Sequence, residues 1–146
     1  MKKSIQPKEM ENHAHAQHIV MVCVTRQRTC ARLIARGEEL AQKYHCPLHV
    51  VHAVRSGENF LGNPDEGEAL EYLFTAAQLS GGELSVIRAE DVPTILCDYA
   101  KAHHASCMVL GAPPKGNTRH ALNIGGQTII EYLAQRLPDV ELDVLD

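Results

Sequence analysis

The residues in this sequence best suited to chemistry are cations and glycines, and they gather in two places. The first is Thr25-Arg26-Gln27-Arg28, directly after the apolar run HIVMVCV. The second runs from Gly111 to Thr128. There Lys115, Gly116 and Arg119 precede the pair Gly125-Gly126, with Gln127 and Thr128 following. Such a mixture suits an anion. Glycine has no Cβ to keep a backbone N–H away from a ligand oxygen, and the start of a following helix adds a dipole that favours negative charge. Gly111 and the Gly125-Gly126 pair also have a plain structural use, in closing a strand and turning tightly into a helix.

Other reactive side chains are less well arranged. His13, His15 and His18 sit in a polar segment with no Cys or acidic partners fixed nearby, so a solvated tail is expected rather than a metal site. His49 and His52, three apart on a strand, point to opposite faces and cannot chelate together. His103 and His104 close a helix, where a cation is favoured. Cys30 stands at a helix start beside Arg28, an environment that lowers a thiol pKa. No partner base is evident, so packing is its expected role. The five cysteines are odd in number and contain no Cys-x-x-Cys, which argues against a disulfide framework or a zinc ribbon. No carboxylate stands beside the glycines to hold Mg²⁺, so nucleotide hydrolysis ranks last, and no catalytic residue is assigned.

These segments need a scaffold. The chain has 146 residues, of which 45% are hydrophobic, enough for one domain with a real core. The net charge of -4 argues against a nucleic-acid-binding face. No apolar run approaches the roughly 20 residues that span a bilayer. No signal-peptide pattern is present either, and a cytoplasmic location is expected. Residues 1–17 read as a flexible N-terminal arm.

Beyond the arm, strand and helix patterns alternate. Strands are expected over 18–25, 48–54, 83–89, 107–111 and 141–145. Helices are expected over 29–46 with Thr29 as N-cap, 65–79, 92–104 capped by Asp91, and 127–136. Residues 55–64, rich in Gly, Asn and Pro, read as a long mobile loop. Strict alternation implies a three-layer α/β/α fold around a parallel sheet. Ligands of such sheets bind beyond the strand C-termini, where the strand order reverses.

Four stretches carry a family resemblance: HIVMVCVT, ARLIARGEELAQKYHCPLHVVHAV, DVPTILCDYAKAHHASCMVLG and GAPPKGNTRHALNIGGQTIIEYL. Together they resemble the universal stress protein family over about residues 17–146. The branch they most resemble is the stress-protein-like domain of potassium-sensing histidine kinases. The resemblance implies an adenine nucleotide alpha hydrolase-like fold, with a five-stranded parallel sheet in the order 3-2-1-4-5. It also implies a homodimer built through the last strand, 141–145. That strand's alternating ELDVLD and terminal position make it an edge suited to pairing.

Nucleotide-binding members join strand four to the last helix through Gly, two residues, Gly, nine residues, Gly and then Ser or Thr. Here Gly111 matches, but Pro114 stands where the second glycine belongs. Gly116 to Gly126 keeps the nine-residue spacing, and Gln127 replaces the hydroxyl residue, with Thr128 one step later. Proline removes an N–H donor. The family's acidic residue after strand one is replaced by Thr25. The resemblance thus implies a nucleotide site made by Thr25, Arg26 and Arg28, by the strand-two end at His52 and Ala53, and by Gly111, Lys115, Gly116, Gly125, Gly126, Gln127 and Thr128. The ligand would be ATP, AMP or cyclic di-AMP, the last served by two basic loops. The expected role is a non-enzymatic nucleotide-sensing module acting through dimerisation or through a sensor-kinase or transporter partner. The alternative is a stress or scaffold protein with the same dimer and an empty site.

Overall fold

The computed structural model describes residues 18–112 and 128–146. The expected N-terminal arm, and Pro114, Lys115, Gly116, Arg119, Gly125, Gly126 and Gln127 of the glycine loop, lie outside the described residues.

Among the described residues five strands and four α-helices alternate: β1 (Ile19–Cys23), α1 (Gln27–Tyr44), β2 (Leu48–Arg55), α2 (Glu66–Ser80), β3 (Glu83–Ala89), α3 (Val92–Ala102), β4 (Ala105–Gly111), α4 (Ile129–Arg136) and β5 (Glu141–Leu145). A 3-10 turn at Phe60–Gly62 interrupts the β2–α2 connection. All strand pairs are parallel, in the order β3-β2-β1-β4-β5. This is the 3-2-1-4-5 arrangement expected from the sequence.

The sheet is buried on both faces because its central strands are apolar at nearly every position, with His49 and His52 of β2 as buried polar exceptions. All five residues of β1 are buried. Val20, Val22, Val50 and Val109 face the core shared with α1 and α2. Met21, Val51, Met108 and Leu110 face the core shared with α3 and α4. Fully burying one such side chain stabilises the fold by roughly 1.5–3 kcal/mol. The central strands β1, β2 and β4 therefore hold the sheet, and β3 and β5 are its half-exposed edges.

Helix α1 lies unusually close to β1. A Cβ built on Gly37 would fall 2.1 Å from Val22 Cγ2 and 3.0 Å from Leu48 Cδ1. Only glycine fits there. The helix begins two residues earlier than the sequence suggests. Arg26, not Thr29, is the N-cap, and the Thr29 hydroxyl donates instead to the Arg26 carbonyl. It ends at Tyr44, with His45 in the left-handed conformation, before Cys46 is reached. The other helices follow their end signals. Asp65 and Asp91 accept from the Glu68 and Thr94 amides, and Gly81 ends α2 in the left-handed conformation.

Candidate functional site

Parallel strands place all their C-terminal ends on one edge. From β1 the chain turns towards α1 and β2, and from β4 it turns towards α4 and β5 on the other side. The edge between β1 and β4 is therefore the switch point of the sheet, where ligands of this architecture sit. Thr25, Arg26 and Arg28 are exposed on it, as is Gly111 at the end of β4. The fold thus brings the first basic segment and the start of the glycine loop to one place.

The start of α1 differs chemically from the other helix starts. It has no side-chain cap and no acidic residue in its first turn, although the helix is 18 residues long. Helices α2 and α4 carry glutamates in their first turns, and α3 is capped by Asp91. The N-terminal end of α1 keeps its partial positive charge, and Arg26 and Arg28 add to it. Thr128, expected among the ligand contacts, works here as a cap. Its hydroxyl accepts from the Glu131 amide at 3.1 Å, and the Glu131 carboxylate accepts from the Thr128 amide at 3.1 Å. That carboxylate offsets the α4 dipole that was expected to favour phosphate.

The end of β2 is tied down through His52 rather than left open. The Val51 carbonyl accepts from the Val24 amide at 3.0 Å. His52 is 2% exposed and faces the α1 and α2 layer. Its Nε2 accepts from the Leu61 amide at 2.9 Å. Nε2 therefore carries the lone pair, and Nδ1–H donates to the Val24 carbonyl at 2.8 Å. Burial lowers the His52 pKa below its ordinary value, and the Arg88 cation adds to this, against the Val24 carbonyl, which raises it. Ala53 beyond it is half-buried.

The 55–64 segment, expected to be a mobile loop, is anchored instead. Phe60 and Leu61 are buried, with Phe60 edge-on to the His52 ring. Arg88 lies 4.1 Å over the Phe60 ring, donates to the Glu58 carbonyl and pairs with Glu66 at 2.6 Å. Asn63 donates to the side chains of Gln27 and Glu68. The Arg26 guanidinium lies 3.9 Å from the point where a Gly62 Cβ would stand. The turn therefore forms one wall beside Arg26. Sequence reasoning missed Arg88, Asn63 and the His52 side chain as parts of this wall. The available signal was a histidine inside an apolar strand, since a buried ring needs partners for its polar atoms.

His49 sits on the opposite face, as its parity requires. Its Nδ1 lies 2.7 Å from the Tyr99 hydroxyl, which lies 3.1 Å from Ser85 Oγ, and Glu83 approaches Nε2 at 3.6 Å. Burial lowers its pKa, Glu83 raises it and His103 lowers it. Among the described residues no group of three His, Cys, Asp or Glu side chains is placed to hold a metal. Cys30 is fully buried and its thiol is pushed up to about 11 by burial, so its role is packing, not reactivity. A groove of about 440 Å³ lined by His18, Tyr44, Cys46, Ser106 and Glu141 lies at the strands' N-terminal ends, away from the switch point. Among the described residues no helix is long and apolar enough to cross a membrane.

Two curated relatives match, the sensor protein KdpD of two Mycobacterium tuberculosis strains, each 29% identical over 120 residues, or 80% of this chain. The match spans only 13% of the length of those relatives. Among solved structures, the universal stress protein from Archaeoglobus fulgidus superposes with a TM-score of 0.65 at 18% identity, covering 94% of this chain and 99% of that one. The Archaeoglobus fulgidus protein in complex with dAMP gives 0.60 at 17% identity, over 88% and 98% of the two chains. A universal stress protein in complex with cAMP gives 0.60 at 18% identity, over 89% and 95%. At these identities the superpositions speak for the fold. The model of the universal stress protein family matches residues 17–138. With that match over most of its length, on a sheet ordered as the resemblance implies, the chain belongs to the universal stress protein family.

Proposed function

We propose that this protein is a nucleotide-sensing module that binds an adenine nucleotide at the switch point between β1 and β4. The observation that carries the reading is the start of α1. It is the one α-helix start among the described residues with neither a side-chain cap nor a first-turn acid, it lies at the switch point, and it is flanked by exposed Arg26 and Arg28. Such a terminus favours phosphate oxygens. Neighbours of the same fold in complex with dAMP and cAMP support an adenine ligand. ATP, AMP and cyclic di-AMP are the candidates. The glycine loop would supply further amides, with Lys115 and Arg119 as added cations.

In this reading the protein is not an enzyme. It acts in the cytoplasm as a homodimer through β5 or through a sensor-kinase or transporter partner. The β5 edge supports pairing, since β5 is paired on one side alone among the described residues and its Val144 is 38% exposed. Val144→Lys should shift the protein towards monomer in sedimentation. The broken glycine pattern at Pro114 favours a second reading, a scaffold with an empty site. A thermal-shift series with ATP, AMP and cyclic di-AMP separates the two. Ligand that binds only the folded state raises the melting temperature. A rise with one nucleotide, lost in Arg26→Ala and Gly126→Val, supports the sensor. No rise with any of them at millimolar concentration leaves the scaffold.

A further inference from the structure

One imidazole joins the wall beside Arg26 to the end of β1. His52 is buried and engaged on both ring nitrogens, and its two partners come from different parts of the chain. One is the Val24 carbonyl, at the point where β1 leaves the sheet and turns into the Thr25–Arg28 segment. The other is the Leu61 amide in the middle of the 3-10 turn, where Leu61 adopts the left-handed conformation at φ 55°. A leucine disfavours that region, so the turn needs outside contacts to keep this shape. The hydrogen bond to His52 is one, beside the burial of the Phe60 and Leu61 side chains and the Arg88 guanidinium over Phe60.

We propose that His52 is a positioning residue that latches the Phe60–Gly62 turn to the end of β1, and that its protonation releases the turn and weakens ligand binding at Arg26. The chemistry leaves one working state. Only the neutral ring with its proton on Nδ1 can donate to Val24 and accept from Leu61. The imidazolium has a proton on Nε2 and sets donor against donor at Leu61. The charged groups around the ring act in the same direction. Arg88 on β3 lies over Phe60 and opposes a second cation, while Glu66 on α2 is already paired with it. Arg26, ahead of α1, adds another positive charge beside Gly62. Both ring nitrogens are taken by backbone groups, and among the described residues no carboxylate is hydrogen-bonded to the ring. Release of the turn removes the surface against which Arg26 and the Asn63–Gln27 pair are set.

The inference rests on the nucleotide reading for its second half, and the experiment separates the two. Amide exchange and ¹⁵N imidazole signals of the whole protein are followed by NMR as pH falls from about 8 to about 5, across the ordinary histidine range. ATP affinity is measured at the same pH values. The Leu61 amide is expected to lose protection at least tenfold as the His52 ring gains its second proton, and ATP affinity should fall together with it. His52→Gln can donate and accept in a similar place but does not titrate. It should bind ATP with an affinity that no longer falls with pH, whereas His49→Gln should leave the profile in place. A Leu61 exchange rate indifferent to His52 protonation overturns the latch, and this is read on the wild-type protein even if His52→Gln fails to fold. ATP binding whose pH profile survives His52→Gln overturns the link to the site. If Leu61 follows His52 and no nucleotide binds at any pH, the latch stands and the proposed ligand falls.

Discussion

Gly37→Ala is the sharpest test of how the scaffold carries the site. In an ordinary exposed helix this change should stabilise, because alanine is about 1 kcal/mol better than glycine in a helix interior. Here the new methyl would stand 2.1 Å from Val22 Cγ2, far inside contact distance, and Val22 is fully buried in the central strand. Val22 is β-branched, so its rotamer cannot easily yield. Either α1 lifts from the sheet or β1 bends, and overpacking of this kind costs typically about 1–3 kcal/mol. An overlap this deep belongs in the upper part of that range, about 2–3 kcal/mol, so with the propensity gain subtracted the net loss should be about 1–2 kcal/mol, a fall in melting temperature of roughly 3–7 °C for a chain of this size. Val22→Ala removes the opposing methyl and serves as the rescue. Urea denaturation of wild type, both single variants and the double variant gives the coupling, which should favour the double variant by about 1 kcal/mol or more. A Gly37→Ala protein as stable as wild type, or additive energies in the cycle, would refute the close approach of α1 to β1.

The remaining predictions concern protons, caps and thiols. His49 and His52 both have folded-state pKa values lowered by burial. Their contribution to stability should be fully present above the unfolded value near 6.5 and lost as pH falls through the lower folded values, because the unfolded chain then binds more protons. Chemical denaturation across that range should show the loss, and His52→Gln should reduce its slope. Thr128→Ala should cost about 1 kcal/mol through the lost capping box but leave nucleotide affinity unchanged, since the hydroxyl already serves the Glu131 amide. Differential scanning calorimetry and a binding titration check the two halves. Cys23, Cys30 and Cys107 are buried, with thiols pushed up to about 12, 11 and 11. Iodoacetamide should therefore reach the half-exposed Cys46 first, and rapid modification of native Cys30 in a peptide map would count against its packing role.

Much of the scaffold was legible in the sequence because its punctuation is local. Gly81-Gly82 and Pro138 bracket β3 and β5, whose observed limits match those expected. Asp65 and Asp91 announce α2 and α3 by chemistry that works within one turn. The start of α1 was misread because Thr29 looks like a cap, while the real N-cap, Arg26, contributes no side-chain bond at all. The 55–64 segment was misread for a different reason. Its Gly, Asn and Pro content describes the backbone correctly, but Phe60, Leu61 and Arg88 become a packed unit only when β3 lies beside β2. The resemblance implies His52 only as the strand-two end of the site, whereas its side chain bonds a carbonyl 28 positions away and an amide nine positions away. Such partners follow from tertiary placement, which spacing along the chain does not encode.

The central claim is that the uncapped, arginine-flanked start of α1 receives the phosphates of an adenine nucleotide. Isothermal titration of the purified protein with ATP, AMP and cyclic di-AMP at neutral pH and low salt tests it most directly, with Arg26→Ala and Arg28→Ala as paired controls. The account predicts saturable binding of one of the three, weakened by either substitution and by added salt, as expected for charge contacts near a surface. Absence of binding by all three, or binding indifferent to both arginines, would contradict it.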